Sequence, residues 1–139
     1  MRILGIDYGE VRTGIALTDS LNITAQGLET IISNGNDKII LKKLDEYLEQ
    51  YEIDTFVIGN PISLDGTKTK RTEDTEKFIN KLKCKYNKIK IEIVDERLTT
   101  VAAHKTMNFL DINKNKKKNI VDTISAVYIL EIYLNKLKK

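Results

Sequence analysis

The sequence predicts an α/β fold: a five-stranded mixed sheet, three antiparallel strands followed by parallel ones, flanked by helices. Three observations carry this. The first 31 residues hold three short apolar, β-rich runs joined by brief turns, a spacing that suits antiparallel neighbours. From residue 40 the apolar positions switch to helical spacing and then alternate with two more short apolar runs, the strand–helix–strand rhythm of a parallel sheet covered on both faces. Residues 118–137 then form one long helical stretch with Val, Ile, Leu or Tyr on most faces.

Residues 2–7 (RILGID), 14–19 (GIALTD) and 23–31 (ITAQGLETI) are the first three strands, with Gly9 and Gly14 assigned to hairpin geometry. Ile40, Leu44, Tyr47, Leu48 and Tyr51 share one helical face, while Lys42, Lys43, Asp45, Glu46 and Glu49 occupy the other. That is an amphipathic helix of about four turns. Residues 55–59 (TFVIG) read as strand four, closed by Asn60 and the single proline, Pro61. A loop from Pro61 to Arg71, with an Asp65-Gly66 turn, leads to a second helix marked by Phe78, Ile79, Leu82 and Tyr86. Residues 91–94 give strand five. Thr99 or Thr100 caps a short helix through Leu110, and a lysine-rich loop precedes the final helix, 118–137, which should be largely buried.

Length and composition narrow the function. A chain of 139 residues, 41% hydrophobic, suits one domain over residues 1–139 that buries about two-thirds of its unfolded surface. No apolar run approaches the roughly 20 residues that span a bilayer, and the N-terminus lacks the pattern of a secretory signal; a soluble cytoplasmic protein with no membrane partner is expected. One cysteine, Cys84, excludes an intramolecular disulfide, and one histidine, His104, leaves too few soft ligands for an ordinary zinc site. Any metal here is held mainly by oxygens. The formal net charge is +3, but lysines cluster at Lys81, Lys83, Lys85, Lys88 and Lys90, at Lys114 and Lys116 to Lys118, and at Lys136, Lys138 and Lys139. Such clusters fit a nucleic-acid footprint and fit solvated helix ends equally well.

The acids are more specific. Ligands gather at the carboxyl ends of parallel strands. There Asp7 ends strand one, Asn60 follows strand four and Asp95-Glu96 ends strand five. Carboxylates crowded on a partly dry edge repel one another unless a cation compensates them. A fourth candidate, Asp122, falls in the first turn of the predicted last helix, where the helix dipole alone would favour an acid. Asp7 also suits a turn-capping role, and Asp95 or Glu96 could simply pair with Arg97. Taken together, oxygen donors without histidine suit Mg²⁺ or Mn²⁺ completed by substrate phosphates. Two such ions would activate water against a phosphodiester. Lys68, Lys70, Arg71 and Arg97 flank the site as candidate phosphate contacts, and Arg12 in the first hairpin could hold a phosphate or orient a carboxylate.

Four blocks in this order, "MRILGIDYGEVRTGIALTD", "VIGNPISLDGT", "VDERLTT" and "VDTISAVYIL", resemble the YqgF/RuvX family, assigned to the ribonuclease H-like superfamily and similar to the Holliday junction resolvase RuvC. The resemblance covers nearly the whole chain. It implies a ribonuclease H-like nuclease that matures the 5′ end of pre-16S ribosomal RNA, with Holliday junction resolution proposed as another role. It makes Asp7 the strand-one metal ligand, Asp122 the last-helix ligand, and the acid of "DER" the strand-five ligand. Alternation places Asp95 with Ile91 and Ile93, and Glu96 with Glu92 and Val94; similarity to resolvases with a glutamate there favours Glu96, with Asp95 second. Asn60 stands where the family usually has an aliphatic residue.

Two rival readings remain. The Asp-x-Gly hairpin is also similar to the first phosphate loop of actin-like ATPases and sugar kinases, but one 139-residue domain cannot build both walls of their cleft. A non-catalytic nucleic-acid-binding module would keep the basic surface but would not need clustered acids. The partner is nucleic acid, structured RNA such as pre-16S rRNA or else branched DNA. A monomer suffices to trim one strand, whereas a homodimer suits a four-way junction.

Overall fold

The computed structural model describes residues 1–60, 69–95 and 114–137, with residues 114–121 described by their backbone alone. The predicted helix through Leu110, His104 and the candidates Lys68, Glu96 and Arg97 lie outside the described residues.

Five strands and three helices are described: β1 (Arg2–Asp7), β2 (Arg12–Thr18), β3 (Ala25–Ile32), α1 (Asp37–Gln50), β4 (Ile53–Asn60), α2 (Lys70–Lys85), β5 (Lys90–Asp95) and α3 (Lys114–Leu137). They form one mixed sheet in the order β3-β2-β1-β4-β5. β1 is central, antiparallel to β2 and parallel to β4, so Ile6 faces Ile15 on one side and Ile58 on the other. β4 and β5 continue in parallel, with Asn60 beside Asp95. The predicted sheet is therefore present, and the acids at the ends of β1 and β5 lie at the same end of it.

Strand alternation splits the core in two. Leu4, Ile6, Phe56 and Ile58 pack on one face against Ile40, Leu44 and Tyr47 of α1 and Phe78, Ile79 and Leu82 of α2. On the other face, Ile3, Ala16, Val57 and Val94 pack against Ala126, Ile129, Leu130, Tyr133 and Leu134 of α3. Helix α3 thus buries a stripe, while Glu131 and Asn135 face outward and Ile124, Val127 and Tyr128 are half-buried. That stripe is less than the extensive burial its composition predicts. No described helix is long and apolar enough to cross a membrane.

Two helix starts differ from expectation. Helix α2 begins at Lys70, inside the predicted loop, because Thr69 and Thr72 form a reciprocal capping box. Its first two turns fill the core with Thr72 and Thr75, both fully buried, and Thr75 satisfies its hydroxyl on the Arg71 carbonyl at 2.8 Å. Polar residues in core positions hide helical periodicity. Helix α3 begins at Lys114, since lysine is a good helix former even where no apolar period marks the turn. Asp122 consequently sits in the third turn, not the first, and the helix-dipole account of it does not apply.

Candidate active site

The end of the central strand is unusually polar for so buried a place. Asp7 is only 3% exposed; alternation along β1 turns it to the α3 face with Ile3 and Gly5. Arg71, in the first turn of α2, reaches it from the rim, its Nη2 donating to Asp7 Oδ1 at 3.3 Å. The next residue, Tyr8, turns to the opposite face, stacks on Phe78 with centroids 4.3 Å apart, and donates its hydroxyl to Asp37 Oδ1 at 2.8 Å. Burial, reinforced by Asp37, pushes the Tyr8 phenol above its ordinary range. Lys81 Nζ holds the other Asp37 oxygen at 2.9 Å. Tyr8 is thus fixed at both ring and hydroxyl, which anchors the backbone that presents Asp7.

Opposite Asp7 on β2 stands Gly14. A Cβ at Gly14 would overlap the Asp122 carbonyl group and come within 3.0 Å of the Thr123 amide nitrogen. The missing side chain therefore lets the α3 backbone lie directly over the strand that pairs with Asp7. This adds a packing role to the hairpin geometry expected of Gly14, which lies in β2 opposite Asp7. Thr123 ties the same turn of α3 to β3 through a 2.7 Å hydroxyl contact with Thr30. Held there, Asp122 accepts from Arg12 Nε at 2.9 Å, with the two side chains 33% (Arg12) and 22% (Asp122) exposed.

Four of the predicted residues, Asp7, Arg12, Arg71 and Asp122, thus meet around one strand end as two acid–arginine pairs. Lys70 instead lines a separate cleft of about 250 Å³ on the Tyr8 side of the sheet, with Glu10, Asp37, Asp74 and Lys77. Asp95 is exposed at the end of β5; alternation sets it on the face opposite Val94, and so opposite Asp7. Among the described residues, no three His, Cys, Asp or Glu side chains converge as a metal cage. The acids at this strand end, Asp7 and Asp122, are oxygen donors with no described sulfur or imidazole beside them, the donor type of a hard divalent cation. Asn60, at the end of β4, has a buried Oδ1 that accepts no hydrogen bond from the described residues.

A profile of the RuvX family, described as a Holliday junction resolvase, matches residues 1–136. The chain belongs to the RuvX family. A Ruminiclostridium cellulolyticum relative named "Putative pre-16S rRNA nuclease" is 52% identical over 139 residues, covering 99% of this chain and 96% of that protein. An Acetivibrio thermocellus protein of the same name is 48% identical over 135 residues, covering 97% and 96%. In fold, this RuvX chain is similar to a Fowlpox virus resolvase solved with Holliday junction DNA, at a TM-score of 0.56, 12% identity and full coverage of both chains. It is also similar to T. thermophilus RuvC with a Holliday junction substrate, at a TM-score of 0.54 and 9% identity over 99% of this chain and 96% of that one. The sheet and helices are accordingly ribonuclease H-like.

Sequence reasoning missed how the RuvX site is assembled. Arg12 and Asp122 are 110 positions apart, and nothing local announces their pairing. The signal that could have found it is the run of small residues Gly5, Gly14 and Ala16 on one sheet face, which marks where a helix backbone can come close.

Proposed function

We propose that this RuvX chain is a divalent-metal-dependent nuclease that hydrolyses phosphodiester bonds, with the 5′ end of pre-16S rRNA as its substrate and the cytoplasm as its place of work. The observation that carries the reading is Asp7, almost fully buried at the end of the central strand, with Asp122 seated above its β2 neighbour by the bare backbone of Gly14. Arg71 already donates one bond to Asp7, and a second carboxylate on the turn of α3 above favours a divalent cation between strand and helix. The pre-16S rRNA assignment rests on the names of the relatives.

Asp7, Glu96 and Asp122 would hold Mg²⁺ or Mn²⁺, which supplies an activated water and neutralises charge on the scissile phosphate. Glu96 is preferred over Asp95 because Asp95 lies on the face away from Asp7. The other side chains position the substrate. Arg12 and Arg71 stand at the carboxylates, and with Lys68, Lys70 and Arg97 they would take the flanking phosphates; such contacts fix register without reading bases. Tyr8, locked between Phe78 and Asp37, keeps the β1 end rigid.

A second reading, cleavage of four-way DNA, is favoured by the description of the family. It would require a homodimer, since the two cuts need symmetry-related sites; a monomer suffices for RNA trimming. The test compares wild type with Asp7→Asn, in Mg²⁺ or Mn²⁺, on a precursor ribosomal RNA fragment and a synthetic four-way junction. Cleavage by wild type alone is expected, and the substrate cut decides between the readings. Silence on both substrates, with tight binding that survives a chelator, would overturn the nuclease reading in favour of a binding module.

A further inference from the structure

We infer that Arg12 is an exchangeable counter-ion: it neutralises Asp122 while the site lacks a divalent cation, is displaced when one binds, and then passes to a substrate phosphate. The inference rests on the metal reading of Asp7 and Asp122.

The geometry sets Arg12 apart from a structural arginine. It meets Asp122 by a one-point bond, Nε to Oδ2 at 2.9 Å, rather than by the two-nitrogen fork that makes arginine–carboxylate pairs strong and fixed. Its side chain is one-third exposed, so water can solvate the guanidinium once it leaves. Its backbone, by contrast, is held as the first residue of β2, in register with Ile32. The head group can therefore swing, but only within reach of Asp122, which is where a phosphate drawn to a cation at the acids would lie. On β2, Arg12, Gly14 and Ala16 share the α3 face, so nothing has to refold for the exchange. Arg71 makes the matching contact with Asp7 at 3.3 Å.

A guanidinium and a divalent cation on one carboxylate repel each other, so the arginine and the metal compete. Deleting the arginine should tighten metal binding in the free protein and weaken nucleic-acid binding. Opposite signs of this kind are not produced by a residue that merely holds the fold.

The experiment measures Mn²⁺ binding by calorimetry for wild type, Arg12→Ala, Arg12→Gln and Asp122→Asn, with circular dichroism melts to verify folding. The same proteins are then titrated with a four-way DNA junction in Ca²⁺ across a range of salt. Mn²⁺ binding about two- to fivefold tighter in both Arg12 variants is expected, with weaker junction binding whose salt slope falls by about one. If either folded variant binds Mn²⁺ with unchanged or lower affinity while Asp122→Asn abolishes binding, the counter-ion role is refuted and the metal site stands. If wild type itself takes up no Mn²⁺, the metal reading fails and the inference with it.

Discussion

Replacing Gly14 by alanine adds one methyl group and tests the link between strand and site. The new Cβ would overlap the Asp122 carbonyl group and stand 3.0 Å from the Thr123 amide. These are helix backbone atoms, so no rotamer change relieves the clash, and α3 must retreat by roughly 1.5 Å to regain ordinary contact. The retreat strains the 2.7 Å Thr30–Thr123 bond and loosens Ala126, Ile129 and Leu130 against the sheet. Overpacking of this kind costs about 1–3 kcal/mol, which in a domain of this size lowers Tm by roughly 3–15 °C. Misplacing Asp122 by about 1 Å or more should also slow cleavage by about 10²-fold. Gly27→Ala is the comparison: its added Cβ meets chiefly the Thr123 side chain, whose rotation gives up the Thr30 bond but spares the helix backbone, so the loss in both measurements should be smaller. Thermal melts and a cleavage time course decide. If Gly14→Ala melts within about 1 °C of wild type and cuts as fast, α3 is not held by that contact and the account of the site is wrong.

Two further perturbations probe the scaffold. Phe78 is fully buried and stacks on Tyr8, so Phe78→Ala should lose about 3–5 kcal/mol in urea unfolding and free the ring that fixes the residue after Asp7. Lys85 and Tyr86 both donate to Asp45, at 2.9 and 2.7 Å, and hold its carboxyl below the usual carboxylate range. That stabilisation is present above the unfolded pKa of about 3.9 and is lost as pH falls through the lower folded value. Asp45→Asn should therefore unfold slightly more easily than wild type at neutral pH and equally easily once wild-type Asp45 is protonated. A gap in denaturation midpoint that persists in strong acid would show that the contact acts through something other than charge.

The sheet was legible because its evidence is local. Short apolar runs with turn residues between them marked all five strands, and Ile40, Leu44 and Tyr47 marked α1 by spacing alone. What escaped depended on partners distant in sequence. Thr72 and Thr75 look like surface residues until the capping box and the Arg71 carbonyl satisfy their hydroxyls, which is why α2 was expected to start too late. Gly14 reads as a hairpin residue in isolation, and only the position of α3 reveals what the absence of its Cβ makes room for. Asp7, Asp122, Arg12 and Arg71 were all named from sequence, but their pairing into two ion pairs was not, because pairing follows from the β1–β2 register and the helix lying across it.

Helix α3 does two jobs with one turn of backbone. Asp122 comes a single turn before Ala126, one of the apolar residues by which the helix adheres to its face of the sheet. The acid therefore departs whenever that helix lifts, so a partly opened form would no longer hold Asp122 over the strand beside Asp7. A ligand that engages Asp7 and Asp122 together acts as a clasp across strand and helix, lowering the population of opened states by mass action. Amide exchange along the Asp122–Leu134 segment becomes a direct gauge of how fully the clasp is fastened.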